Sequence, residues 1–262
     1  MIDILMSISG TFLRALAFCM LALPVILVVA ASFTSGETME FPPVGYSLRW
    51  YKAAYESDAF RSALWTSTYV AVLVAVIALV IGFAAAFAIN RYHFRGKTFL
   101  QGLAFSPLTV PAVVLGLGLL HLFAFLGLAR TIYPLLLGHL VLAIPYAVRT
   151  ILASLALHDR VIEEAAMNLR ATPLQVIRRI TVPLILPGLL SAAIFAFVTS
   201  FGNATVSAFL TSGGRITLPI QIFIYLDTVY DPTVAAVSAI MILVTLIVIL
   251  TIEHLISAEG LA

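Results

Sequence analysis

Long runs of apolar residues alternate with short polar punctuation along this chain. A helix that crosses a membrane needs about 20 mostly apolar residues. Six segments meet that requirement, at roughly 14–33, 63–89, 98–126, 132–152, 184–209 and 233–253. The pattern predicts an all-α integral membrane protein with six transmembrane helices in a single domain, 1–262. The first run ends in small residues, "VVAAS", as a secretory leader can. Its leading segment carries one Arg and one Asp, however, and the run is long for a leader, so it is read as a span.

Composition sharpens this picture. Hydrophobic residues make up 62% of the chain and charged residues only 10%, against nearly half and a quarter in soluble domains. A net charge of +2 is too small to suggest nucleic acid as a partner. The single cysteine, Cys19, excludes an intrachain disulfide and a cysteine metal cluster. Charge also sets orientation. With both termini inside, the inner segments hold Arg14, Arg91, Arg95, Lys97, Arg149, Arg160, Arg170, Arg178 and Arg179, and the outer ones only Arg49, Lys52, Arg61, Arg130 and Arg215. That excess follows the positive-inside rule.

Two longer loops then lie outside. In "YSLRWYKAAYES", Tyr46, Trp50, Tyr51 and Tyr55 alternate with charges. Such a pattern suits a helix lying at the membrane surface. The stretch "TSGGRITLPIQIFIYLDTVYDP" places Gly and Pro breaks around a short apolar run, and is expected to dip back toward the bilayer.

One inner segment, 159–183, breaks the apolar rhythm. Asp159 can cap a helix whose N-terminal N–H groups lack partners. Behind it, Ile162, Ala165, Ala166 and Leu169 fall on one apolar face, with Arg160, Glu163, Glu164 and Asn168 around the rest. Thr172-Pro173 reads as a second start, a Thr cap with Pro in the first helical position. The second helix, "LQVIRRIT", is expected to stop near Val182, because Pro183 disfavours helical geometry at the residue before it. The sequence thus encodes a helix–turn–helix elbow between spans four and five. A mere connection needs only a few polar residues; an ordered apolar stripe flanked by charge suits a helix that docks in a groove of another protein.

The elbow also carries a family resemblance. Glu164-Ala165-Ala166, followed at the right spacings by Ile180 and Pro183, resembles the EAA loop of permease subunits of type I ABC importers. Two positions depart: Arg170 stands where the family has Gly, and Val182 where it has Leu. Gly can turn the chain with φ > 0, whereas Arg there would cost about 1 kcal/mol. "YSLRWY", "RYHFRGK", "SPLTVPAVVLG" and "DPTVAAVSA" are similar in kind and order to stretches of the polyamine, phosphonate, sulfate and ferric-iron importer group.

The resemblance implies a non-catalytic subunit forming half of a translocation pathway for a small polar solute, in a bacterial inner membrane. It implies a cytoplasmic ABC ATPase dimer that binds ATP and Mg, a second and related permease chain, and a periplasmic solute-binding protein. The coupling residues it implies are Glu163, Glu164, Ala165, Ala166, Leu169, Arg170, Ile180 and Pro183.

The residues themselves carry no engine. "RGKT" at Arg95–Thr98 imitates the tail of a phosphate-binding loop, but the first Gly of that motif would fall on Arg91. In the fifth span Ala192, Ala196, Thr199, Ser200, Asn203 and Ser207 share a small, polar face. Such a face serves close helix packing or a wet cavity; Ser200 and Ser207 suit either, and the amide of Asn203, which needs several partners, points to the cavity. Pro107 and Pro111 predict a kink in the third span, while His121 and His139 read more readily as packing residues than as pathway lining. No Asp, Glu, Lys or Arg lies near the middle of a span, which disfavours a proton- or sodium-driven secondary carrier. A non-transporting membrane scaffold, with the elbow holding some other protein, remains the other alternative. The same lack of acidic groups places a polycationic substrate in doubt beside a neutral, zwitterionic or anionic one.

Overall fold

The computed structural model describes residues 2–211 and 214–259, with side chains from 13 to 256. All regular elements among the described residues are helical. Helix α1 spans Ile2–Ser32, α2 Arg49–Glu56, α3 Asp58–Arg91, α4 Lys97–Phe105, α5 Ala112–Phe125 and α6 Tyr133–Leu157. The elbow holds α7, Val161–Asn168, and α8, Pro173–Val176, a π-helical turn at Ile177–Thr181, and α9, Val182–Leu184. Helices α10, Leu186–Phe201, α11, Thr205–Leu210, α12, Leu218–Leu226, and α13, Thr233–Glu259, complete the order. Among the described residues four helices are long and apolar enough to cross a membrane by themselves, and the number is six if each of two bent pairs is one span.

The chain divides into two compact units. One holds Met1–Arg61 and Gln221–Val244, the other Ser62–Ile220 and Thr245–Ala262. In the first, the segment after α1 is tied back by Ser47 N–H on Phe33 C=O at 2.7 Å. Tyr51 of α2 stacks at a tilt on Phe33 and shares a 2.6 Å hydrogen bond with Ser32. The aromatic run thus forms the short helix that its sequence predicts. Arg49 lies 4.3 Å over the Trp50 ring, a cation–π contact.

The second unit contains the broken helices. The third span, expected at 98–126, is two helices: α4 continues as a 3₁₀ turn over Ser106–Thr109, and α5 leaves at 108° to it. Pro107 and Pro111 lack N–H donors, and Val110 before Pro111 takes an extended conformation, ψ 130°, as a residue before proline prefers. The expected kink is therefore a full corner. An apolar cavity of about 480 Å³ sits there, lined by Leu100, Leu103, Pro107, Val110, Val141 and Pro145.

The fifth span, expected at 184–209, is also broken. The chain from Pro173 to Leu184 meets α10 at 72°, and α10 ends at Phe201, short of α11. Contrary to expectation, the helix does not stop at Val182. It passes Pro183 because the preceding turn widens: Val182 N–H reaches back to Ile177 C=O, five residues away. A π turn moves the hydrogen-bond ladder out of register, so the carbonyl that the proline ring would strike is no longer waiting for its missing N–H.

Helices α6 and α10 pack along much of their length. On α6, Ala143, Ala147, Val148, Ile151 and Leu155 are fully buried, and on α10 Ala192 and Ala196 are. Small residues permit this approach: a Cβ on Gly188 would overlap the Cβ and Oγ of Ser154, and, where α6 meets α11, one on Gly138 would overlap Leu210. In membranes helix association relies on such close packing. Gly188→Ala is therefore expected to destabilise the protein by about 1–3 kcal/mol through overpacking, read as a lower melting temperature in detergent; an unchanged melting curve would refute the close contact.

Candidate functional site: the elbow and the broken helix

The elbow is built from its caps outward. Asp159 Oδ1 accepts Val161 N–H at 3.0 Å and opens α7. Thr172 and Gln175 form a reciprocal capping box, Gln175 N–H on Thr172 Oγ1 at 3.4 Å and Thr172 N–H on Gln175 Oε1 at 2.8 Å, with Pro173 in the first turn. Both starts lie where the sequence places them.

Between them, α7 ends in a Schellman motif. Arg170 N–H bonds Met167 C=O at 2.9 Å and Ala171 N–H bonds Ala166 C=O at 3.1 Å. The motif requires a left-handed residue at its centre, and that residue is Arg170, with φ 67°. Arginine therefore adopts the conformation that glycine takes more cheaply. Arg170→Gly is expected to stabilise the elbow by about 1 kcal/mol, the strain of an L-residue in that region. Slower hydrogen exchange at Arg170 and Ala171 would show it; faster exchange would overturn it.

Glu163 departs from its expected place on the polar surface: it is buried, and Glu164 beside it is exposed. Its Oε1 accepts Arg91 Nη2 at 2.8 Å and Thr181 Oγ1 at 2.9 Å. The side chains of Arg91 and Glu163 are only 6% and 10% exposed. Arg91 also donates to Asn90 Oδ1 at 2.7 Å, and Arg160 Nη2 donates to Arg91 C=O at 3.0 Å. Arg91 Nε has no partner. A buried ion pair adds little net stability, but losing one partner strands a charge. Arg91 belongs to α3 and Thr181 to the π turn, so one carboxylate joins three elements. Sequence reasoning used Arg91 as an inner positive charge and to exclude a phosphate-binding loop, and did not single out Thr181.

The opposite side of the elbow is open. Ile162 is 49% exposed, Leu169 85% and Leu174 73%, and Ala165 is exposed while Ala166 is half-buried. The apolar stripe thus faces away from the unit that Glu163 anchors. Along the second helix Ile180 is half-buried and Pro183 is exposed.

The break between α10 and α11 has its own polar network. Asn203 Oδ1 accepts the N–H groups of Val206 at 2.9 Å and Ser207 at 3.3 Å, capping α11. Ser207 Oγ donates to Asn203 C=O at 2.6 Å. It must therefore accept from His139 Nε2, 2.9 Å away, which leaves His139 Nδ1 to accept from Ser200 Oγ at 2.8 Å. Ser200, Ser207 and His139 are buried; Thr199 and Asn203 are half-buried. The oxygen of Asn203, expected to face a cavity, is occupied in capping. Pro107 is half-buried at the α4–α5 corner and Pro111 exposed there, and His121 Nδ1 is 3.1 Å from Leu117 C=O.

Broken membrane helices around a polar break, with a short amphipathic elbow projecting between two of them, define a transport permease. The chain belongs to the family described as binding-protein-dependent transport system inner membrane component, whose model matches residues 78–258. It is 30% identical over 243 residues to the spermidine/putrescine transport system permease protein PotC of Escherichia coli, covering 93% of this chain and 91% of that one. To the putrescine transport system permease protein PotI of Escherichia coli it is 33% identical over 234 residues, 87% of this chain and 83% of the relative. To the trehalose transport system permease protein SugB of Mycobacterium tuberculosis it is 32% identical over 202 residues, 76% and 74% of the two chains.

Solved structures agree on the fold. A bacterial ABC transporter that imports the acidic polysaccharide alginate matches with a TM-score of 0.67 at 17% identity, over 96% of both chains. The MetNI methionine ABC transporter in an inward-facing conformation matches with a TM-score of 0.61 at 18% identity, over 78% of this chain and 99% of the other. The protein is a multi-pass inner-membrane permease subunit of an ABC importer.

Proposed function

We propose that this permease couples solute import to ATP hydrolysis by docking its elbow, residues 159–183, into a cytoplasmic ABC ATPase, which binds ATP and Mg. The exposed stripe of Ile162, Leu169 and Leu174 carries the proposal: apolar side chains on a capped, anchored helix form a ready surface for a groove in a partner. Glu164, Ala165, Ala166 and Arg170 border that stripe. ATP binding would move the elbow as a rigid body and switch access to the pathway, with hydrolysis resetting it. Both termini lie in the cytoplasm in this reading, and a solute-binding protein delivers substrate from the periplasm. A related but non-identical chain supplies the other half of the pathway, whose lining on this chain is drawn from Thr199, Ser200, Asn203, Ser207, Pro107 and Pro111.

Purification from native membranes in a gentle detergent tests the assembly. A co-purifying P-loop ATPase and a second six-span permease are expected; the chain alone, or with unrelated proteins, would overturn the reading. Glu164→Lys is expected to lower uptake at least about tenfold, a loss of at least 1.4 kcal/mol of coupling, at unchanged amounts in the membrane. Full uptake in that variant would refute the docking role of this face.

For the substrate, the polyamine permeases among the relatives favour a small polyamine. A second reading, a neutral or anionic solute, is favoured by charge: the sequence has no Asp or Glu between Asp58 and Asp159, or between Glu164 and Asp227. A polycation crossing among these residues would meet backbone carbonyls, hydroxyls and amides in place of carboxylates. Uptake of labelled putrescine by cells expressing the complete complex decides between them. Saturable, ATP-dependent uptake supports the polyamine; none, together with uptake of a sugar or oxyanion, supports the second reading.

A further inference from the structure

We propose that Arg91, Glu163 and Thr181 form a mechanical joint through which the elbow moves α3, and that Glu163 is a positioning residue for transport. The inference rests on the reading that the elbow docks on an ATPase. The chain itself connects the elbow to α6 at one end and to α10 at the other. Helix α3 has no such connection, since Arg91 lies 72 positions before Glu163.

The hydrogen bonds supply one. Arg91, the last residue of α3, is held twice by the elbow: its guanidinium by Glu163 and its carbonyl by Arg160. Two grips on one residue, one through the side chain and one through the main chain, resist rotation as well as separation. Thr181 completes the joint from the far side of the elbow, its hydroxyl on the same carboxylate oxygen that Arg91 uses. The π turn that carries the chain past Pro183 is also the turn that holds Thr181.

A pair so shielded from water is held in one geometry. Buried polar pairs serve this end better than they serve stability, because separating the two partners leaves a buried charge unpaired. Displacement of α7 by a partner therefore carries the end of α3 with it. Exposed Glu164, one residue further, is left free for the partner. The two adjacent glutamates divide the work, one facing the ATPase and the other facing the membrane helices.

The test uses the complete complex, reconstituted in proteoliposomes, with ATP hydrolysed and solute imported measured together. Arg91→Gln and Glu163→Gln are each expected to lower solute imported per ATP by about fivefold or more, the low end of a coupling free energy. The double variant should fall no lower than the worse single, because both break one joint. Thr181→Val, which keeps size and shape, should give a smaller loss of the same kind. A merely structural role would lower the amount or melting temperature of the complex and leave the ratio unchanged, and that result would overturn the proposal.

If the ATPase is absent from the wild-type preparation, the docking reading fails and the joint fails with it. If the ATPase is lost only from Glu163→Gln, Glu163 shapes the docking surface and the joint alone is overturned. Should the substituted complexes not assemble, spin labels at His93→Cys and Asn168→Cys, with Cys19 replaced by Ser, test the intact joint. Their separation is expected to stay the same in nucleotide-free and ATP-trapped complexes; a change would overturn it.

Discussion

A hydrocarbon interior offers no water to a backbone that leaves its helix, and this constraint governs the permease. Each break in a membrane helix frees N–H and C=O groups that cost several kcal/mol if unsatisfied. Three places among the described residues disturb the helical ladder, and each meets the demand differently. At the α4–α5 corner, prolines supply residues without N–H donors and a 3₁₀ turn takes up carbonyls. At Pro183 a π turn shifts the ladder. At Gly202–Ala204 side chains intervene: Asn203 caps the next helix, and Ser207, His139 and Ser200 extend the network to α6. The breaks give irregular backbone and polar side chains a place among apolar helices, which is where a solute pathway needs them.

The elbow obeys the opposite logic. It exposes its apolar stripe and buries one of its charges, Glu163. In isolation that inversion is unfavourable, since Leu169 and Leu174 contact water while Arg91 and Glu163 lose it. It becomes consistent once the elbow is seen as two-sided. One face is pinned to the membrane helices by the buried Arg91–Glu163 pair, and the other is left apolar. In the proposed function, the elbow transmits position from one face to the other.

Much of this was legible in the sequence. The apolar runs located every long helix, because the thickness of a bilayer allows few alternatives. The caps at Asp159 and at Thr172 with Gln175 located the elbow, because orphan N–H groups demand such residues. Glu163 was not legible. A helical wheel places it with Glu164 on the polar side, and nothing local distinguishes them; the difference is made by Arg91, far away in sequence. The bend angles were equally hidden, since proline marks where a helix fails but not how far the next one turns. His139, Ser200 and Ser207 carried a faint signal in the seven-residue spacing of the two serines, which sets both on one side of a helix, but the helix breaks between them.

The turn at Arg170 bears on how such a loop can evolve. Its main-chain bonds from Arg170 and Ala171 close a loop of fixed size, and the cap at Thr172 follows at once. One residue more or fewer between Ala166 and Thr172 would swing the second helix around the first by about 100°. At the centre of the turn the side chain is open to replacement, since an arginine holds there a conformation suited to glycine. The number of residues is not, because the bonds that close the turn span a fixed length of chain.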